Sequence, residues 1–176
     1  MPTSETKFGK YPSLSAFLSA YKAAENKKRA REIEAQAPSI AEKVKKIKKI
    51  QQKQRDVIEI NAILAVKEPD DSDPAGGRHV RLRVKVKKIV KNDPDVKKDV
   101  DDAKATARDV FVAIRIGDAQ GIQEKINGLK TGAELHLKGE WITREKAQAH
   151  GGEKMSVLHF THHPLGFICT PVKCYT

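Results

Sequence analysis

The sequence has no long hydrophobic run and only two cysteines. No apolar stretch approaches the roughly 20 residues that a membrane-spanning helix needs, and residues 1–10 lack the apolar core of a secretion signal. A disulfide between Cys169 and Cys174 would close a very short loop, so we expect two reduced thiols. These absences predict a cytoplasmic protein that does not contact a membrane.

The sequence also lacks the motifs of catalysis. It contains no glycine-rich phosphate loop, no nucleophile elbow and no H-E-x-x-H helix. Carboxylates cluster in residues 70–73 and 99–102, but both segments are predicted to be flexible loops that would not hold a magnesium ion in octahedral geometry. We therefore interpret the clusters as solvated loop residues and expect no enzyme activity, no metal and no cofactor.

Positive charge is concentrated in the first third of the chain. The formal net charge is +11, and residues 1–56 contain 14 Lys and Arg against 6 Asp and Glu. Residues 57–176 contain 20 basic and 17 acidic residues. Such an asymmetry predicts a basic arm, residues 1–56, that contacts an anionic partner such as nucleic acid, joined to a β domain, residues 57–176. A solubilising tail or a protein-binding helix would give the same asymmetry.

The arm is predicted to contain two helices, over about residues 13–36 and 39–54. Apolar residues of the first helix fall at i, i+3, i+4 and i+7 and would dock either on a partner or on the protein's own β domain. They are Leu14, Phe17, Leu18 and Tyr21. Pro38 ends this pattern, and Ser39 with Glu42 forms a capping box for the second helix. Lysines surround its apolar stripe and are predicted to contact phosphates: Lys43, Lys45, Lys46, Lys48 and Lys49.

From residue 57 onward the apolar period changes from 3.6 to 2, which indicates strands. Strands are predicted over residues 57–66, 80–87, 109–116, 134–142 and 157–163, with a short helix over residues 122–129. Residues 92–107 are interpreted as a flexible loop or a frayed helical turn. This order of elements is that of an OB-fold, a five-stranded barrel that binds oligonucleotides and oligosaccharides. We predict a mainly β, OB-fold-like barrel with a helix between strands 3 and 4, with another small β-barrel or an α+β sheet as the alternatives.

The second predicted strand has the most regular pattern in the chain. Apolar residues alternate with four cations, Arg81, Arg83, Lys85 and Lys87. Alternate side chains of a strand lie on opposite faces, so the cations share one face. The acidic residues that would neutralise them are predicted to lie in the flanking loops. We expect these cations to follow a nucleic-acid backbone. We expect base stacking from Phe111, Trp141, His159 or His163. Aromatic residues make up only 5% of the chain, so few residues could stack on bases.

Two short motifs resemble a small bacterial OB-like family within the OB-fold superfamily. Gly76-Gly77-Arg78-His79 precedes the second strand, and His159-Phe160-Thr161-His162-His163 lies near the C-terminus. They resemble the G-x-x-H and H-x-T-H-H signatures of that family, in the same order. The resemblance covers roughly residues 60–168, and Pro164 follows the histidines where an acidic residue is expected. It implies the fold and marks the histidines, and it implies no reaction.

Three histidines lie within five positions, His159, His162 and His163. In a regular strand His159 and His163 would share one face, about 13 Å apart along the strand, and both could face one extended ligand. Three interpretations stay open: hydrogen bonds that fix the barrel rim, contact with a phosphate or a base, and a metal site completed by His79, Cys169 or Cys174. No C-x-x-C spacing is present, and the sequence predicts no metal site.

The sequence thus predicts a non-catalytic protein that binds single-stranded or structured DNA or RNA through its basic arm and the basic strand face. The alternative is an adaptor or accessory subunit that docks a protein partner through the four apolar residues of the first helix. A metal-dependent hydrolase that uses the histidines is a third alternative.

Overall fold

The computed structural model describes residues 7–36, 56–72, 78–118 and 121–176. Its helices are α1 (Leu14–Gln36), α2 (Lys97–Ala105) and α3 (Arg144–Ala149). Its strands are β1 (Val57–Ser72), β2 (Arg78–Lys91), β3 (Val110–Ile116), β4 (Glu134–Ile142), β5 (Val157–His159), β6 (Phe167–Cys169) and β7 (Cys174–Tyr175). The predicted second helix of the arm, residues 39–54 with its five lysines, lies outside the described residues.

Five of the strands close into a barrel. β1 pairs antiparallel with both β2 and β4, β2 pairs with β3, β4 pairs with β5, and β3 and β5 run parallel. The order around the barrel is therefore β1-β2-β3-β5-β4 and back to β1. β6 and β7 extend from β4 as a short hairpin. The prediction of a mainly β protein with a closed five-stranded barrel is confirmed.

Alternating side chains of the strands fill the barrel. Val80, Leu82 and Val84 of β2 are buried in one core with Leu135 and Leu137 of β4, as expected for a period of 2 with one face inward. The closure depends on a glycine in β4. A Cβ atom on Gly139 would lie 2.4 Å from the carbonyl oxygen of His159, so a larger residue at this position would push β4 away from β5.

The helix beside the barrel forms in a different segment from the one predicted. Residues 122–129 contain no helix; Ile122 instead bridges to Ile116 and packs its side chain into the core. α2 forms between β2 and β3, in the segment interpreted as a loop or a frayed turn. Its apolar side chains join the barrel core: Val96, Val100 and Ala103. The spacing i, i+4, i+7 lets one face of α2 cover that core, so the prediction of a helix between strands 3 and 4 is wrong.

Both carboxylate clusters lie in regular structure, which corrects their interpretation as loop residues. β1 continues to Ser72 and so includes Asp70 and Asp71, because it pairs with β2 along nearly its whole length. Asp99, Asp101 and Asp102 belong to α2.

The predicted fifth strand, residues 157–163, is shorter than expected. β5 ends at His159 because Phe160 adopts a positive φ of 55°, a left-handed conformation that interrupts an extended strand. His159 and His163 therefore do not share the face of one continuous strand.

A second apolar core joins α1 to the outer surface of the barrel. Phe17 of α1 packs against Phe8, with ring centroids 4.7 Å apart, and Phe8 packs against Phe111 of β3 at 5.0 Å. Leu14, Phe17 and Tyr21 are buried and Leu18 is half-buried, all within this cluster. Of the two docking places expected for these residues, the protein's own barrel is the one observed; a protein partner on the same residues stays a prediction.

The chain before α1 is fastened to the loop that follows α3. The amide of Lys10 donates to the carbonyl oxygen of Gly151 at 2.9 Å, and the Tyr11 hydroxyl donates to the carbonyl oxygen of His150 at 2.7 Å. A Cβ atom on Gly152 would lie 2.8 Å from the rings of Phe8 and Phe17. The start of the described chain therefore packs tightly on this loop.

Cys169 and Cys174 form a disulfide, so the expectation of two free thiols is wrong. The pairing of β6 with β7 places the two residues opposite each other, which sequence spacing alone does not show. None of the described helices is long and apolar enough to cross a membrane. A cytoplasmic location stays a prediction.

Candidate nucleic-acid interface

The four cations of β2 that were predicted to contact nucleic acid are each close to a carboxylate of the same chain. Arg81 Nη2 and Arg83 Nε lie 3.3 and 2.8 Å from the two carboxylate oxygens of Glu68. Lys85 Nζ and Lys87 Nζ lie 2.9 and 2.8 Å from Asp109 and Glu134. The neutralising carboxylates come from β1, from the residue before β3 and from β4. The expectation that the acidic residues lie away in flanking loops is therefore wrong.

Arg81 is also covered by the N-terminal part of the chain. Its side chain lies 5.4 Å from the ring centroid of Phe111, donates to the carbonyl oxygen of Lys7 at 3.5 Å, and the residue is only 3% exposed. Phe8 and α1 dock beside this position, against Phe111 and Ala113 on the outer face of β3. A phosphate cannot reach Arg81 unless this segment moves.

A serine, a histidine and an aspartate meet where α1 begins. Ser15 Oγ lies 3.1 Å from His79 Nδ1, and Oδ2 of the fully buried Asp71 lies 3.8 Å from the same nitrogen. A hydrolase triad needs its serine and aspartate on opposite imidazole nitrogens, so this arrangement is not a proton relay. Asp71 Oδ2 also accepts from the Ser15 amide at 3.4 Å, which places a carboxylate at the positive end of α1.

Three of the four predicted stacking residues are buried. Phe111 and Trp141 are each 1% exposed, and Trp141 Nε1 donates to Asp99 at 2.8 Å. His159 is 5% exposed, and its Nε2 lies 3.3 Å from Glu140 Oε1. His163 is exposed. Among these four residues, His163 alone offers a ring to a nucleic-acid base in this conformation.

The remaining members of the histidine cluster contact the chain around them. His162 Nδ1 lies 2.9 Å from the carbonyl oxygen of His163, and Thr161 Oγ1 donates to the carbonyl oxygen of Ala113 at 3.3 Å. The His159 ring packs 4.3 Å from that of Phe160. These contacts favour the interpretation that His159 and His162 fix the barrel rim. The disulfide removes Cys169 and Cys174 as thiolate ligands for a metal site with the histidines.

A pocket of about 420 Å³ opens beside this rim. It is lined by Phe160, His162, His163, Pro164 and Leu165, with Gly121 and the C-terminal Thr176. Lys22 of α1 reaches over it, with Nζ 5.8 Å from the Phe160 ring. The pocket therefore combines aromatic and imidazole rings with one cation, a set of groups suited to an anionic or aromatic ligand.

The solvent-facing side of α1 carries cations that no carboxylate of the described residues neutralises. Lys22, Lys27, Lys28 and Arg31 are exposed, and none of them forms an ion pair with a described residue. Glu25 is half-buried and lies 3.9 Å from both Lys146 Nζ of α3 and Nε2 of His150, the residue after α3. Sequence reasoning did not place these cations among the site residues, although residues 22–31 contain five basic residues and one acidic residue.

Comparison of the chain with protein-family models, with curated proteins and with solved structures found no match in any of the three.

Proposed function

We propose that this protein binds nucleic acid without catalysing a reaction, and that the outer face of α1 makes most of the phosphate contacts. The observation that carries the proposal is the contrast between two basic surfaces. The strand cations share their charge with Glu68, Asp109 and Glu134, whereas the cations of α1 face solvent unpaired within the described chain. Binding to phosphates releases counterions only where a cation is free to replace them.

The barrel supports an OB-like assignment in part. A closed five-stranded barrel agrees with an OB-fold, while α2 stands between β2 and β3 instead of between β3 and β4. OB-folds bind ligands on the face of strands 2 and 3. Here Phe8 and α1 pack against β3, and Lys7 and Ser15 contact Arg81 and His79 of β2. We therefore assign the contact to α1 and to the lysines predicted at positions 43–49, with His163 at the edge of the rim pocket.

The cations Arg81, Arg83, Lys85 and Lys87 keep a smaller role in this proposal. Each would have to exchange a carboxylate for a phosphate, so the net gain from each contact is small. Trp141 and His159 would act by holding the barrel in shape, since both are buried.

Fluorescence anisotropy with labelled single-stranded DNA, duplex DNA and RNA tests the proposal. If about six phosphates are neutralised on a single strand, log K should fall with log[salt] at a slope of about −4. Failure of all three nucleic acids to bind at about 50 mM salt would exclude the proposed function.

Two triple variants that each remove three charges test the location of the contact. Lys27→Gln/Lys28→Gln/Arg31→Gln should weaken binding at least about tenfold at low salt and make the salt slope shallower by about 2. Arg83→Gln/Lys85→Gln/Lys87→Gln should weaken binding less than about threefold, because its cations are already paired. An equal loss in both variants would contradict the assignment to α1.

A further inference from the structure

The rim pocket, the cavity of about 420 Å³ at the end of β5, is built on a closed loop. Residues 160–166 turn back on themselves, because the amides of Leu165 and Gly166 both donate to the carbonyl oxygen of His162, at 3.1 and 2.9 Å. A Cβ atom on Gly166 would lie 2.6 Å from the carbonyl oxygen of Phe160, so the two ends of the loop are in close contact. The wall of the pocket is therefore formed by the fold itself and needs no ligand to shape it.

Phe160 has an unfavourable backbone conformation within this loop. Its φ of 55° lies in the left-handed region, which a bulky side chain rarely adopts. Such a conformation persists only where the surrounding structure enforces it, and it is concentrated at ligand-binding and active sites. The Phe160 ring is half-buried on the wall of the pocket and packs 4.3 Å from the buried ring of His159. The loop thus holds one aromatic ring in place with part of its surface open to a ligand.

The groups around this ring fit a nucleobase with its phosphate. Apolar side chains and imidazoles complete the wall: Pro164, Leu165, His162 and His163. The volume lies within the range of about 300–1,000 Å³ that is typical of small-molecule sites. Lys22 Nζ is 5.8 Å from the centroid of the Phe160 ring, near the outer limit of about 6 Å for a cation–π contact. A base can therefore displace this exposed lysine from the ring, and the lysine then reaches the adjoining phosphate.

Lys22 also connects the pocket to the basic surface of α1. Lys27, Lys28 and Arg31 lie five to nine residues further along the helix, which is about 8–14 Å at 1.5 Å per residue. A strand whose phosphates contact these cations passes within reach of the pocket. Among the described residues that line the pocket, none is Asp or Glu, so no acidic side chain on its wall repels a phosphate.

We propose that the rim pocket takes an unpaired base of the bound nucleic acid, which stacks on Phe160 while Lys22 and His163 contact its phosphate. The inference rests on the proposed function and adds the class of nucleic acid to it: a single strand, or a structured one with an unpaired nucleotide. A paired base enters such a pocket only at the cost of leaving the stack. A free mononucleotide carries the same base and phosphate, but it lacks the further phosphates that contact α1.

Fluorescence anisotropy with matched nucleic acids tests this on the unmodified protein. An abasic strand keeps every phosphate of the single strand, so it isolates the contribution of the bases. Stacking of one base on an aromatic ring changes affinity at least about fivefold, and the abasic strand should bind more weakly by at least this factor. A duplex with one unpaired nucleotide should bind more tightly than the fully paired duplex by the same factor.

A nucleoside monophosphate distinguishes the two sources of the same base and phosphate. It should compete only at concentrations at least about a hundredfold above the Kd of the single strand, because α1 holds the strand, and not the monomer, beside the pocket.

Two variants separate stacking from charge. Phe160→Gly removes the ring and adopts a positive φ freely, so it should fold, as circular dichroism can verify. It should bind the single strand at least about fivefold more weakly with an unchanged salt slope, and bind the abasic strand as before. Lys22→Gln should make the salt slope shallower by about 1. Lys130→Gln, the control, removes an exposed lysine that does not line the pocket and should leave binding unchanged.

The outcomes separate this inference from the proposed function. If single strand, duplex and RNA all fail to bind at about 50 mM salt, the proposed function fails and this inference fails with it. If the single strand binds but the abasic strand binds equally well, or Phe160→Gly keeps full affinity, the pocket takes no base and this inference alone is overturned. A monophosphate that competes at the Kd of the strand would assign the pocket to free nucleotides and would overturn it too.

Discussion

Replacing Asp99 with alanine should lower the free energy of unfolding by about 2–4 kcal/mol, because it removes the acceptor of the buried Trp141 indole N–H and the shorter of the two ion pairs of the largely buried Arg108, which keeps only Asp102 at 3.4 Å. Asp99 Oδ1 accepts from Arg108 Nη2 at 2.7 Å. Its other oxygen, Oδ2, accepts from Trp141 Nε1 at 2.8 Å and from Ser156 Oγ at 2.6 Å. One carboxylate on α2 thus connects the residues before β3, within β4 and before β5, so its loss affects the closure of the barrel.

Urea denaturation followed by Trp141 fluorescence would measure this loss. Asp101→Ala is the matched control, since it removes a carboxylate of the same helix that pairs with Lys97, where the two side chains are 44% and 63% exposed. An exposed pair contributes less than about 1 kcal/mol. Equal destabilisation by the two substitutions would show that the Asp99 contacts do not hold the barrel together.

Phe17→Ala should destabilise the protein by about 3–5 kcal/mol, the usual cost of truncating a buried phenylalanine. The ring is fully buried, 4.7 Å from the centroid of Phe8 and 5.6 Å from that of Tyr11. The residue belongs to the second core, which includes Phe111 of β3. The substitution should therefore destabilise the barrel as well as α1.

The same denaturation experiment distinguishes a docked helix from a separate arm. The half-buried Leu18→Ala is the control and should cost less than Phe17→Ala. In both variants a single transition is expected, shifted to lower urea. If Phe17→Ala unfolds α1 without moving the transition of the barrel, α1 does not share the stability of the barrel, and the boundary predicted near residue 56 would describe an independent unit.

The strands were the predictable part of the fold because their signal is local. Val80, Leu82 and Val84 alternate with cations whatever the rest of the chain does, and the structure buries them together. The helix was not predictable in the same way. Ile122 and Ile126 have helical spacing, yet both reach the core from an extended segment. The segment around Val100 is more polar, and its helical form becomes understandable only once Val96, Val100 and Ala103 are seen to pack into the barrel core.

The candidate sites depend on contacts between distant parts of the chain, which spacing in the sequence does not show. Glu68 meets Arg81 and Arg83 because β1 runs further than its turn-rich composition suggests. Lys22 comes near Phe160 only because α1 docks on the barrel. Charge counts show that cations are concentrated in residues 1–56, but they could not tell paired cations from free ones.

The packing of the N-terminal aromatic residues on the far end of the chain affects how the protein folds during synthesis. Phe8 and Phe17 are covered in part by Gly152 and by Val157 of β5, which leave the ribosome about 140 residues later. At a synthesis rate of about 5–20 residues per second, about 7–30 s pass between the synthesis of the two rings and the synthesis of the residues that cover them. The edge of β1 that pairs with β4 is also unpaired until β4 has been synthesised. The nascent chain therefore presents the open edge of β1 until β4 emerges and the apolar face of α1 until Val157 emerges, and chaperones that bind exposed apolar segments have that interval in which to act.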